Sequence, residues 1–403
     1  LFHILEDSVL NRWVVLAAGV VIQTILGGVY SWSIFVPHLI RTQGLSKGQC
    51  GFIFGLTIGV FTLAMIFAGR ILTSRGPRFT AATGAILFGS GYVLASFSHG
   101  DFYRLLAGIS LLAGSGIGFG YVCPLSVGVR WFPDRKGLVT GVSVAGFGGG
   151  AILLNYLAQH YLSLGVDILI FFRWLGSIAG ITLFAASMFL ANPPQCKSAE
   201  KVTADYSALR SIPFALMTFG IFCGTFSGLL VVGNLAPIML RAGLAESHAA
   251  VAVSIFAFGN ALGRILWGFI HDRIRYRSIP LSLAFFALLL IPLIYPVPEW
   301  TLLITTALLG FGFSANFVIY AASISRQFGV HSFPGLYPLC FMGYGFAGIM
   351  GPAIGGYLSD LTGSFESALD LSIAVVVLAA ILTALGQKRF SSQAEKEHFD
   401  KSA

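Results

Sequence analysis

Apolar residues along this chain run in blocks of about 20 or more, separated by short polar segments. Twenty helical residues extend about 30 Å, the thickness of a bilayer's hydrocarbon core. The blocks predict twelve membrane-crossing helices, near 13–37, 48–70, 79–97, 103–128, 137–161, 168–191, 213–240, 247–270, 279–297, 300–325, 333–358 and 366–387. The longest connection carries Pro193-Pro194, Lys197, Lys201 and Arg210 and divides the chain. The expected organisation is a six-helix bundle over 1–191, a central loop over 192–212, a second six-helix bundle over 213–387 and a tail over 388–403. The fold class expected is therefore an all-α polytopic membrane protein.

Composition points the same way. The chain is 56% hydrophobic and only 10% charged, against about 25% charged in soluble domains. No soluble core buries that much apolar surface. The first block is too long for a signal-peptide core and lacks a small-residue cleavage site, so it is expected to stay as a span. The chain opens at Leu1, and the native start is expected upstream of it. Cys50, Cys123, Cys196, Cys223 and Cys340 have no metal-ligand spacing and read as small apolar residues. No metal, cofactor or disulfide is expected.

The basic residues set the orientation. With the amino terminus inside, 18 of the 24 Lys and Arg fall in cytoplasmic loops and tails. Arg41, Lys47, Arg104, Arg173 and Arg241 fall outside. This asymmetry predicts two cytoplasmic termini in an inner (plasma) membrane. The net charge of +8 follows from it. The charges form no stripe interleaved with aromatics, so no nucleic acid is expected as a partner.

One basic residue remains in the membrane. Arg264 lies two turns before the charged end His271-Asp272-Arg273 of the eighth block. A guanidinium in the hydrocarbon costs roughly 3 kcal/mol on insertion scales, so it is expected to face a cavity and meet an anion. The plainer alternative is snorkelling to the interface, which two turns of depth strain. Asn260, four residues earlier, shares its helical face.

The two halves repeat. Gly69-Arg-Ile-Leu-Thr-Ser-Arg-Gly-Pro-Arg78 aligns with Gly268-Phe-Ile-His-Asp-Arg-Ile-Arg-Tyr-Arg277 at an offset of 199, which also pairs Gly44 with Gly243. Gly114-Ser-Gly116 and Arg130-Trp-Phe132 match Gly310-Phe-Gly312 and Arg326-Gln-Phe328. Parallel six-helix repeats imply a carrier that works by alternating access about a central site.

Gly268-x-x-x-Asp272-Arg273 resembles the loop motif of the major facilitator superfamily, and the resemblance covers the whole chain. In the first half, Thr73 and Ser74 stand where Asp and Arg are usual. Trp131-Phe-Pro-Asp-Arg-Lys-Gly-Leu-Val-Thr-Gly-Val-Ser-Val-Ala-Gly-Phe-Gly-Gly-Gly150 is similar to the fifth-helix signature of monocarboxylate porters and oxalate/formate antiporters. Gly28-Val-Tyr-Ser-Trp-Ser-Ile-Phe35 resembles that group too. The resemblance implies a major facilitator fold in which Arg264 binds a transported acid, with Asp272, Arg273, Arg70, Arg75 and Arg135 as gating residues. Animal monocarboxylate porters place an aspartate at Asn260's position and a lysine in the first helix, absent here. Oxalate exchangers carry a lysine before an eleventh-helix Gly-Pro pair; counted back from Gly351-Pro352, that position is Tyr344. One cation then favours a substrate with one negative charge.

Helices that line such cavities supply the rest of the expected pocket: Tyr121 in the fourth span, Asn316 and Tyr320 in the tenth, and Tyr337, Cys340, Phe341 and Tyr344 in the eleventh. Each is also an ordinary packing residue. All sixteen Asp and Glu lie in loops, tails or span ends, so a proton is expected to travel with the acid. The reading is proton-coupled symport of a small monocarboxylate such as lactate or pyruvate by a monomer in the bilayer. An oxalate/formate exchanger and a non-transporting carboxylate sensor are the alternatives. An enzyme is not expected, because no nucleophile, metal set or carboxylate pair lies within a span.

Overall fold

A computed structural model describes residues 11–194 and 206–386. The tail over 388–403 and most of the central loop fall outside the described residues. Among the described residues, ten helices are long and apolar enough to cross a membrane. Two of these, Gln49–Ala95 with 47 residues and Val251–Leu293 with 43, are about twice the length one crossing needs. The first is broken at Gly76, whose φ of 79° only glycine adopts at no steric cost, followed by Pro77. The second is broken at Arg275, with φ of 52°. Divided there, the ten become the twelve crossings the hydrophobic blocks predict.

In chain order the helices are α1 (Arg12–Gly27), α2 (Trp32–Gln43), α3 (Lys47–Ala95), α4 (Phe102–Leu105), α5 (Gly114–Trp131), α6 (Lys136–Ser163) and α7 (Ile168–Ser187). Then follow α8 (Ile212–Gly233), α9 (Leu235–Arg241), α10 (Glu246–Ile274), α11 (Ser278–Leu290), α12 (Glu299–Gln327), α13 (Gly329–Thr362) and α14 (Glu366–Leu385). The first and seventh crossings are not the single helices expected. A 3-10 turn over Gly28–Ser31 joins α1 to α2. Asn234 parts α8 from α9 with its side-chain amide donating to Leu230 O at 2.9 Å. A π-helical segment, Leu106–Ala113, lies between α4 and α5.

The chain forms two compact units. The first comprises Leu1–Asp134 and Ser143–Ala204; the second comprises Arg135–Val142 and Asp205–Ala403. The start of α6 thus packs with the second unit although its body belongs to the first. Within the first unit α3 packs on α5 and α7; within the second α10 packs on α12, and α8 on α13.

The sequence repeat reappears in the packing. A Cβ at Gly310 of α12 would lie 2.1 Å from Phe256 O of α10. At the repeat positions of the first unit, a Cβ at Gly114 of α5 would lie 3.1 Å from Thr57 O of α3. Only missing side chains let these backbones approach so closely.

Candidate functional site: Arg264 and its surroundings

The close approach of α10 and α12 determines what Arg264 meets. Besides Gly310, a Cβ at Gly263 would lie 2.3 Å from Ser314 Oγ. The indole nitrogen of Trp267 donates to Phe311 O at 3.0 Å. These contacts fix the face of α10 that carries Asn260 and Arg264 against α12. Arg264 is 1% exposed, and among the described residues no other Lys or Arg is buried. Its Nε donates to Asn260 Oδ1 at 3.3 Å, and its guanidinium carbon stands 4.8 Å from the ring centre of Phe317. A desolvated guanidinium over an aromatic face gains roughly 2 kcal/mol. That offsets part of the cost of its burial.

Phe317 was not among the expected site residues. The repeat carries the signal that would have found it, because Phe317 occupies in α12 the place that Tyr121 occupies in α5. Around Tyr121 the first unit builds a matching aromatic cluster. Its ring lies 5.3 Å from Phe61 and 5.2 Å from Phe147, and Phe147 lies 5.5 Å from Tyr30. Gln23, fully buried on α1, donates to Tyr121 O at 3.0 Å. Its Oε1 is left without a hydrogen-bond partner. An amide in the middle of an apolar block was visible in the sequence and was passed over.

The expected α13 residues are all buried. Tyr344 meets Phe317 edge-on at 5.3 Å and Phe341 at 5.0 Å, and Tyr337 meets Phe341 at 5.4 Å. Tyr344 is thus linked to Arg264 through the ring of Phe317. Cys340 is fully buried on the same helix.

Asn316 and Tyr320 are held elsewhere, against the glycines of α8. A Cβ at Gly224 would lie 2.2 Å from Asn316 Oδ1, and one at Gly220 would lie 2.5 Å from Tyr320 Oη. Asn316 Nδ2 donates to Phe313 O at 3.0 Å. Their described contacts belong to the packing of α12 on α8.

At the other end of α10, Asp272 closes a polar cluster. Its two carboxylate oxygens accept from the backbone N–H groups of Gly137 and Leu138, each at 2.8 Å. These are among the donors that every helix leaves unsatisfied in its first turn, here the first turn of α6. The negative charge also suits the positive end of the helix dipole. Arg326 Nη2 approaches Asp272 Oδ1 at 3.5 Å, and Lys136 Nζ donates to Ser325 O at 3.2 Å. A Cβ at Gly141 would lie 2.3 Å from Arg264 O, so the same turns of α6 reach the backbone of Arg264.

Lys136 and Arg326 were missed by sequence reasoning, which saw the charges but not their partners. Of the other expected gating residues, Arg273 lies over Phe269 at 4.2 Å and Arg75 over Phe79 at 4.8 Å. Arg70, Arg75, Arg135 and Arg273 are exposed. Thr73, where a carboxylate is usual, donates to Gly69 O of its own helix at 3.0 Å.

The Major Facilitator Superfamily model matches residues 16–245 and 217–402. The chain belongs to this family of membrane transporters; it is a multi-pass integral membrane protein. Among its relatives is the oxalate:formate antiporter of Oxalobacter formigenes, 26% identical over 387 residues, covering 93% of this chain and 91% of that one. Human monocarboxylate transporter 11 is 26% identical over 400 residues, covering 92% and 82%. The resemblance drawn from the fifth-helix segment is thereby borne out, and these relatives are transporters, not enzymes. Among solved structures, the transporter FucP in its outward conformation shares the fold, with a TM-score of 0.74 at 14% identity, covering 93% of this chain and 99% of that one.

Proposed function

We propose that this chain is a secondary carrier of small monocarboxylates, lactate- and pyruvate-like acids first. Arg264 binds the carboxylate, and the proton moves with the acid as the carrier alternates access. Burial of the Arg264 guanidinium within a membrane-crossing helix, beside an amide and an aromatic face, supports this. A carboxylate offers what Phe317 and Asn260 do not, a full opposite charge in bidentate geometry. Tyr344, in place of a second cation, leaves the charge count suited to a monoanion. Asn260, Tyr121 and Cys340 are proposed as further contacts along the acid's path, whereas Asn316 and Tyr320 are left to the packing of α12 on α8. Asp272, with Arg273, Arg70, Arg75 and Arg135, is proposed to act in gating. The proposal has the carrier as a monomer in an inner (plasma) membrane with both termini cytoplasmic; the basic-residue asymmetry supports that orientation.

Uptake of labelled lactate, pyruvate, acetate, formate and oxalate into proteoliposomes tests the proposal. Saturable uptake of the monocarboxylates is expected, with oxalate poor. Similarity to the oxalate:formate antiporter over nearly the whole chain, at 26% identity, favours exchange as the second reading. Uptake of oxalate that requires formate inside the vesicles would establish it.

A further inference from the structure

A partly polar cavity of about 680 Å³ opens in the first unit between α2 and the last turns of α6. Its walls include His38 and Arg41 on α2, Asn155 and Gln159 on α6, and the apolar Ile34 and Leu162. His38 and Arg41 are three residues apart, and Asn155 and Gln159 four apart, so each pair shares one helical face. We infer that this cavity is a low-affinity loading site for the carboxylate of the small acids the chain carries, with Arg41 as its charge and the amides of Asn155 and Gln159 as its hydrogen-bonding groups. The inference rests on the carboxylate specificity proposed above.

Arg41 in the last turn of a helix has an ordinary role, since a cation there complements the helix dipole. That role needs neither a cavity nor anything from α6. Asn155 goes beyond it. The side chain makes no hydrogen bond with another described residue, and its Oδ1 is buried without a partner. A buried acceptor left in this condition costs free energy unless a donor reaches it, such as water or the hydroxyl of a hydroxy acid like lactate. Burial, and then the neighbouring Arg41 charge, hold the His38 imidazole below its usual pKa. Near neutral pH the cavity therefore presents one positive charge and the N–H donors of two amides to a carboxylate, while Asn155 Oδ1 is placed to accept from the hydroxyl of a hydroxy acid. Arg41 is exposed, and exposed charge pairs contribute little, so binding is expected in the millimolar range. Weak binding suits a loading site, because the acid must move on.

Ser163 provides a reporter in the wall of the same cavity. It is exposed, and its hydroxyl donates to His160 O of its own helix at 2.8 Å, so replacing it leaves the proposed ligands intact. The full chain, with Cys50, Cys123, Cys196 and Cys223 replaced by alanine, the fully buried Cys340 kept and Ser163→Cys added, is reconstituted in nanodiscs. It is labelled with a neutral maleimide in the presence of acetate or lactate. Millimolar acid is expected to slow labelling about fivefold, and equally in Arg264→Ala. Arg41→Gln should abolish the protection and Arg41→Lys should keep part of it. Absence of protection by either acid, or protection that survives Arg41→Gln, overturns the site. So does protection seen only when phosphatidylglycerol replaces phosphatidylcholine, since the occupant is then a lipid headgroup. Failure of the carrier proposal shows separately, as absent uptake with labelling protection intact.

Discussion

Arg264 is buried within a membrane-crossing helix, where a charge carries a large desolvation cost. Phe317 offers a ring face at 4.8 Å and Asn260 one acceptor at 3.3 Å. Removing one member of a buried, charged hydrogen-bonded pair costs about 2–5 kcal/mol. Arg264→Ala is therefore expected to lower acid uptake at least ~30-fold while the protein still elutes as a monodisperse species. Arg264→Lys should also transport poorly, since an ammonium offers a point charge in place of a planar fork. Near-normal uptake by the alanine variant would remove Arg264 from the binding site. Tyr344 tests the charge count. Two unit charges ~8 Å apart at an effective dielectric near 20 interact by about 2 kcal/mol, or about thirtyfold in affinity. Tyr344→Lys should weaken lactate uptake and strengthen inhibition by oxalate, less the desolvation cost of the new lysine. Titrating lactate uptake with oxalate above both oxalate pKa values checks this. Equal inhibition of wild type and variant would show that position 344 does not act on the bound acid.

At the scale of elements, the start of α6 depends on a residue from another helix. Arg135 precedes α6, and its guanidinium has no acceptor to offer the first N–H groups. Asp272 at the end of α10 accepts from two of them, each at 2.8 Å. Hydrogen bonds to a charged group contribute about 1.5–3 kcal/mol each. Asp272→Asn keeps one acceptor oxygen and loses the charge, so local opening at the start of α6 should become easier by about 1.5 kcal/mol. Hydrogen exchange at the Gly137 and Leu138 amides should then speed up roughly tenfold, with exchange in mid-α12 unchanged. Equal rates in the two proteins would mean that the carboxylate is not what holds this turn. Because Gly137 and Gly141 bring the same turns of α6 to Gly268 and Arg264 of α10, loosening them is also expected to slow turnover.

At the scale of the whole molecule, the acidic residues set an expectation for coupling. Among the described residues no Asp or Glu is buried. The usual carboxylate proton site of a membrane carrier is thus not in evidence there. An inward proton gradient should accelerate net lactate uptake because acid and proton cross together. Measuring uptake at fixed external pH, with and without the gradient, checks it. Accumulation that ignores the gradient but needs acid preloaded inside would instead establish obligatory exchange.

Hydrophobic length and glycine spacing made the twelve crossings, the two-fold repeat and the isolation of Arg264 legible in the sequence. These are local properties: a block of 20 apolar residues has few stable fates, and a guanidinium inside one is conspicuous wherever the chain goes. The joins within α3 and between α10 and α11 were legible too, since Gly76-Pro77 and the charge cluster at 271–277 mark them. What each side chain faces was not. Asn316, Tyr320 and Phe317 lie within five positions of one another on α12, and all three are chemically plausible ligands. Only the approach of α8 through Gly220 and Gly224, and of α10 through Gly259 and Gly263, turned the first two toward packing and Phe317 toward Arg264. In the same way, Asp272 reads from sequence as part of a charged loop. Its bonds to the first turn of α6 join residues more than 130 positions apart, a pairing that helix packing decides and no local pattern encodes.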